Sequence, residues 1–326
     1  LFSNMSDWNP AEMIGNKPKP LAISLYSELI TNKTWGVQRK NYGYKDVSPN
    51  ILMVNLAGTP YIDLRTDINS FLPSGLNVKL NNKIVKNYLN KIKSKPYLHD
   101  KIEFDILLTC YEFDNDKFNF LSKSEKLEYI NRLRNLTNEI FSNKKNFLIE
   151  EQNKVKLLDS KIKKIKKTKL SEIQKIFFLI DDCKKLGTLP FSGIARIAFI
   201  CTKILRSLLD KRLIDQKFVE KIYSSIPTIT KKMNKDYIKA FNSKKYKKKF
   251  LLDYGHLRPL TYSIASKNYK EGFHHYFSNK TLNTTSVLKK DFKISNKLNN
   301  KISNIFKKEK LAVNFKEFIK LLQKSI

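Results

Sequence analysis

The chain has 326 residues, is 41% hydrophobic and 12% aromatic, and carries a formal charge of +33 at pH 7. That apolar content excludes wholesale disorder and is enough to bury a core. Only eight of the 63 basic residues are Arg, so the charge reads as a lysine-rich background rather than a nucleic-acid reader, which leans on the guanidinium fork.

The opening LFSNMSDWNPAEMIG crowds Asp7, Trp8, Asn9 and Glu12 beside Pro10 and Gly15. Two readings stand for Asn9 and Glu12: they line a ligand cleft, or they fix a domain junction through backbone hydrogen bonds. From Pro20 to about Arg39 the apolar spacing predicts a helix with Leu21, Leu25, Leu29 and Ile30 on one side. Residues 51–58 and 60–67 read as strands joined by the turn AGTP, and 102–113 as a third strand, with a Lys/Asn-rich helix at about 78–94. In an extended YIDLRTDINSF, Asp63, Arg65 and Asp67 share one face, which suits a salt-bridge ladder or a site.

Beyond Asp116 the pattern turns helical. Ser122 and Glu125 form a capping box before Leu127, Ile130, Leu133, Leu136 and Ile140. The segment from about 144 to 186 keeps near-heptad apolar spacing with interleaved lysines, predicting an antiparallel helical hairpin or coiled-coil arm that Gly187 and Pro190 terminate. Its KKIKKTK run is read as a solvated face. Gly193–Leu209 is too interrupted by Arg196, Lys203 and Arg206 for a membrane span; it predicts a core helix with those cations on or near one edge. Short helices follow at 215–224, 228–242 and 243–253, then a polar loop or linker at 278–303 and a last amphipathic helix from about 313. The fold class expected is predominantly α with a small β-sheet near the N-terminus, in three parts: an α+β subdomain at 1–116, a helical domain at 117–277, and a linker with a truncated helix at 278–326.

Few motifs carry chemistry. No phosphate-cradling glycine motif or nucleophile elbow occurs, and the chain has nine glycines in all. Cys110, Cys183 and Cys201 are far apart, which with no leader-like pattern predicts a reducing, cytoplasmic setting. His274 and His275 predict a surface aromatic cluster rather than a zinc site, and His99 a turn. YGHLRPLTY at 254–262 gathers imidazole, guanidinium, phenols and a hydroxyl; Arg258 and His256 suit an anionic or polyhydroxylated ligand, or else a buried turn in which Arg258 pairs with Asp63 or Glu12.

DWNPAEMIG followed by KPLAISLYSELI, with PYIDLRTDINSFLPSGL and YGHLRPLTY, resembles the region after the ATP-grasp domain in phosphoenolpyruvate synthase-like enzymes, the pyruvate, water dikinase and pyruvate phosphate dikinase superfamily. A more distant likeness is to rifampicin phosphotransferase. The resemblance covers about 1–277 as separated islands. Where that group's turn reads GHLRPGTYD, this chain has Leu260 and Ser263. The resemblance implies a central substrate or scaffold domain of a phosphotransferase, with ATP and Mg2+ used by the parent enzyme and ATP-grasp and phosphohistidine domains of the same chain as partners. With it goes the expectation that Asn9, Glu12, Asp63, Arg65, His256 and Arg258 converge on one cleft that binds an anionic small-molecule acceptor such as pyruvate, Arg65 and Arg258 supplying its cations; no catalytic or metal-ligating residue is expected in this segment, which alone is expected to be inactive. The alternative is a non-enzymatic basic helical module binding RNA or another polyanion. No membrane partner is expected.

Overall fold

The computed structural model describes residues 1–4, 6, 8–107, 118–142, 146–258, 266–277 and 292–326. Helices dominate, with one small antiparallel sheet at the N-terminal end. The chain forms two compact units, Leu1–Asp215 with Ile294–Ile326, and Gln216–Lys293. This grouping follows contacts rather than the composition changes at 116 and 277.

The first unit begins with β1 (Phe2–Ser3) and a short α1 (Pro10–Ile14). The expected single helix from Pro20 is interrupted: α2 (Pro20–Tyr26) widens into a π-helical turn at Ser27–Thr31, and α3 (Thr34–Asn41) follows. Of the expected apolar side, Ile30 is buried and Leu29 packs against the core, while Leu21 and Leu25 face out and Tyr26 and Trp35 turn inward instead. The bulkier aromatic stripe takes the core with Val47, Leu52, Met53 and Ile62.

Next, β2 (Met53–Leu56) and β3 (Thr59–Asp63) pair antiparallel, Met53 opposite Ile62 and Leu56 opposite Thr59. Ala57 and Gly58, at φ of 51° and 83°, form the two-residue turn whose twist matches a hairpin. The third strand is β1, which pairs with β3 on its other side, and not the run at 102–113. In that run Ile102–Asp105 is helical, and 108–113 lies outside the described residues. Ile102 and Ile106 alternate like a strand but also sit one helical turn apart, and both are buried. A short apolar run carries both periods, and packing against a helix decided between them.

β3 ends earlier than expected because Asp63 caps α4 (Leu64–Ser70), accepting hydrogen bonds from Arg65 N at 3.0 Å and Thr66 Oγ1 at 2.8 Å. Asp63, Arg65 and Asp67 therefore share no strand face: Arg65 is exposed and Asp67 is buried. α5 (Val78–Ser94) stands where predicted, capped by Asn77, and α6 (Ile102–Asp105) follows.

The Ser122–Glu125 capping box opens α7 (Lys123–Phe141), with both of its hydrogen bonds present. α8 (Phe147–Lys166) and α9 (Glu172–Asp182) pack as a hairpin, and a second capping box at Ser171 and Gln174 reverses the chain. The hairpin does not end at Gly187 and Pro190. A π-helical turn at Cys183–Thr188 carries α9 straight into α10 (Leu189–Asp210). Proline removes an N–H from the ladder, and at the start of α10, behind a widened turn, that loss is tolerated.

α10 is the centre of this unit and packs against α3, α6 and α8. Its buried positions, from Ser192 and Gly193 through Arg196, Ile197, Ile200, Cys201, Ile204, Leu205 and Leu208, keep the three-four step of one helical face. Arg196 is therefore in the core, 1% exposed, and not at an edge; of the three cations only Arg206 is exposed. The run Glu172–Asp210 is long and apolar enough to cross a membrane, and 56% of its most apolar stretch is buried inside the protein.

In the second unit, α11 (Gln216–Ser225), α12 (Ile229–Asn242), α13 (Lys244–Tyr254) and α14 (Phe273–Tyr276) are short, and Tyr237, Phe250, Tyr254 and Phe273 form their core. The first unit resumes with α15 (Asn296–Lys308), where a polar linker was expected, and α16 (Phe315–Ser325). The helix wins at 296–308 because Ile302 and Phe306 anchor it, and Phe306 and Phe318 meet edge to face at 5.4 Å. α16 also packs on α10.

Candidate functional site

A cavity of about 390 Å³ opens within the first unit, at the lower end of the range that small-molecule sites occupy. Ser6, Trp8, Asn9, Glu12 and Met13 form one wall. α10 forms the other through Phe191, Ser192, Ala195, Arg196 and Phe199. Arg39 from α3, Asp67 from α4, and His99, Asp100 and Glu103 complete it.

The first wall is stiffened locally. Trp8 and Asn9 hold positive φ values of 64° and 26°, Asn9 caps α1 by accepting from Glu12 N at 3.1 Å, and its Nδ2 donates to Glu12 Oε2 at 2.8 Å. Tyr26 Oη donates to the Trp8 carbonyl at 2.5 Å, tying the segment to the core. Asn9 and Glu12 thus organise a turn, and that turn lines a cavity.

The cations were not those the sequence singled out. Arg39 and Arg196 are 4% and 1% exposed, and both guanidinium carbons lie 4.5 Å from the centroid of Phe71. Arg196 also lies 4.9 Å from the Tyr44 ring centroid and donates from Nε to Tyr44 Oη at 2.8 Å. Its Nη1 and Nη2 have no hydrogen-bond partner among the described residues, nor do Trp8 Nε1 and Ser6 Oγ. Buried polar groups are nearly always paired, so four such atoms on residues of one cavity need a reason. A visible signal for Arg196 was a cation in an otherwise apolar helical stripe. Arg39 offered none beyond its guanidinium.

Around these donors stand four carboxylates, Glu12, Asp67, Asp100 and Glu103. Partial burial works against the Asp100 carboxylate, yet Lys101 at 2.8 Å holds its pKa below the ordinary value. His99 Nδ1 lies 2.8 Å from the Pro96 carbonyl, fixing the turn, and the ring lines the cavity.

The remaining predicted site residues lie elsewhere. Asp63 is committed to capping α4, and neither it nor Arg65 lines the cavity. Asn69 is a structural hub, accepting from Lys45 Nζ at 3.0 Å and Asn81 Nδ2 at 2.9 Å. His256 and Arg258 belong to the second unit, where His256 is exposed and Arg258 Nε donates to the Ser266 carbonyl at 2.8 Å. Residues 259–262 of their turn lie outside the described residues. His274 and His275 are exposed on α14. Among the described residues no group of three His, Cys, Asp or Glu side chains is placed to hold a metal ion. Compared with protein-family models, curated proteins and solved structures, the chain matches none.

Proposed function

We propose that the chain is the central acceptor-binding and scaffold domain of a cytoplasmic phosphoenolpyruvate synthase-like phosphotransferase. ATP and Mg2+ belong to the parent enzyme's ATP-grasp domain, and a phosphohistidine domain carries the phosphoryl group to an acceptor held here. No step is assigned to Mg2+ on this chain, since none of its described clusters fits the ion.

The observation that supports this reading is the place of Asn9 and Glu12. These residues carry the most specific part of the resemblance, and they line a cavity whose walls also hold two buried guanidinium groups. Polar donors and acceptors set into an apolar cavity are what an acceptor site requires: the guanidinium groups bind negative charge, and Glu12 accepts a hydrogen bond from a hydroxyl. Arg39 and Arg196 take over the cationic role that the sequence suggested for Arg65 and Arg258.

The test uses the parent polypeptide with ATP and Mg2+, following phosphoryl transfer to a panel of acids and hydroxylated acceptors by 31P NMR. Glu12→Gln is expected to lower kcat/KM by about tenfold or more through loss of a charge-assisted hydrogen bond, while ATP use in the first half-reaction is unchanged. Absence of nucleotide-dependent phosphorylation anywhere in the parent chain would sink the reading.

A further inference from the structure

The outward face of α9 is apolar, the reverse of the usual arrangement on a surface helix. Asp182 bonds Lys161 of α8 at 2.7 Å and so marks the inward side. Half-buried Lys175 and Leu179 share its three-four stripe. Ile173 lies nine positions before Asp182, roughly two and a half helical turns, and so points the opposite way. Its neighbours on that outward face are Ile176 and Phe177. The three are 81%, 56% and 67% exposed, and Phe178, whose ring meets Phe177 at 5.7 Å, is 45% exposed. Single exposed apolar side chains are ordinary, but four large ones between Ile173 and Phe178 mark an interaction surface.

The same end of the hairpin is basic. Residues 159–175 hold seven lysines and two acids, Asp159 and Glu172. Both acids are already paired, with Lys163 at 2.6 Å and Lys175 at 2.8 Å, and Asp181 further along α9 is paired with Lys185 at 2.8 Å. Lys164, Lys166, Lys167 and Lys169 are exposed and have no ion pair among the described residues. These features together select the occupant. A second copy would set the same four lysines against one another. A nucleic acid would meet the lysines but gain nothing from Ile173 and Ile176. A groove in a protein takes one three-four stripe, and Phe178 stands to the side of it. Lysine without arginine gives diffuse attraction rather than a fixed fork-to-anion pairing. An anionic bilayer surface meets every element, with hydrocarbon for the broad apolar arc and headgroup charge for the lysines beside it.

We propose that the hairpin of α8 and α9 docks on an anionic phospholipid bilayer, Ile173, Ile176 and Phe177 entering the interface and Lys164, Lys166, Lys167 and Lys169 meeting the headgroups. The contact is peripheral. α10, which continues the same apolar run, is committed to the core of its unit, so the hairpin lies on the membrane rather than crossing it. The sequence spoke against a spanning segment, and an interfacial contact needs none. The inference is independent of the acceptor-site reading, because it uses neither the cavity nor its residues.

Vesicle flotation of the 326-residue chain tests it, with phosphatidylcholine alone set against phosphatidylcholine mixed with phosphatidylserine. The protein floats with the mixed vesicles and not with phosphatidylcholine alone. A chain of net charge +33 adheres to any anionic surface to some degree, so the variants decide. Ile173→Ser with Phe177→Ser leaves the charge unchanged, and Lys166→Glu with Lys167→Glu leaves the apolar face unchanged; each weakens binding by about tenfold or more. Lys248→Glu with Lys249→Glu on α13, an equal charge change at exposed positions, weakens it far less. All six positions are exposed, and circular dichroism confirms that the fold is kept. Entry into the interface is read from Phe177→Trp, whose added emission shifts to the blue on mixed vesicles and is quenched by lipid brominated on its acyl chains, with the signal of Trp8 and Trp35 in the wild type subtracted. Failure of the wild type to float, full binding in Ile173→Ser with Phe177→Ser, an equal loss in the α13 variant, or an unshifted emission in Phe177→Trp overturns the proposal. So does a dimer in sedimentation velocity that Phe177→Ser dissociates, since the face then belongs to a second copy.

Discussion

Arg196 is a charged side chain in the middle of an apolar helical face, and a buried cation is tolerated only with compensation. Here the compensation within the protein is partial: one hydrogen bond to Tyr44 and two aromatic faces. Close by, Gly193 on the same helix shows how tightly α10 approaches its neighbour. A Cβ there would lie 2.3 Å from the Tyr42 hydroxyl oxygen, and the Tyr42 ring is itself stacked on Phe147 at 4.7 Å. Gly193→Ala is therefore expected to destabilise the protein by about 1–3 kcal/mol, read from urea unfolding; a neutral result would mean that Tyr42 moves freely. Asp46 provides a pH marker at the surface. Its hydrogen bonds with Lys40, at 2.6 Å, and Ser48 lower its pKa to about 2 from 3.8. Because the folded value is the lower one, its contribution is complete above the unfolded pKa and lost as pH falls through about 2. Carboxyl NMR is expected to find that midpoint, and Lys40→Met to move it upward.

At the scale of elements, the helices follow local chemistry closely. Ser122–Glu125, Ser171–Gln174 and Asn314–Glu317 each close a capping box at a helix start. Loss of one cap by Ser122→Ala is expected to cost about 1 kcal/mol in urea unfolding, and no change would show that tertiary packing alone sets the start of α7. The junction of α9 and α10 departs from the local rule. Gly187 and Pro190 are breakers in sequence, yet the chain stays helical through a π-helical turn because both flanking helices pack against α8. An added Cβ at Gly187 would meet Leu158 Cδ2 at 3.4 Å and Cys183 Sγ at 3.7 Å, ordinary contacts. Gly187→Ala should then raise stability by up to about 1 kcal/mol through helix propensity alone. A loss of stability would mean that the π-helical turn needs the glycine.

At the scale of the whole molecule, each unit has its own apolar centre. In the second unit Phe250 is 1% exposed and meets Tyr254, Phe273 and Phe277 at centroid distances of 5.0, 5.9 and 5.3 Å. Phe250→Ala is expected to cost about 3–5 kcal/mol and to raise amide exchange across α12 and α13; unchanged exchange there would show that this aromatic cluster does not hold the unit together. The chain carries a formal net charge of +33. In α8 Lys161 pairs with Asp182 at 2.7 Å and Lys163, the first lysine of the KKIKKTK run, with Asp159 at 2.6 Å.

Helix content, the hairpin of β2 and β3, the Ser122–Glu125 capping box and the core helix were legible in the sequence, because propensity, turn chemistry and the three-four step act over a few residues. The Asn9–Glu12 turn was legible as a motif for the same reason. What the sequence could not decide was which periodicity wins in short apolar runs such as 102–106, and which side of α2 and α3 turns inward. Those outcomes depend on partners far along the chain. The cavity depended on tertiary structure most of all: Arg39 and Arg196 are 157 positions apart in the chain, and only the packing of α3 and α10 brings both guanidinium groups to Phe71. Burial, which gives a lone guanidinium its chemistry, is a property of the assembled fold and of no single segment.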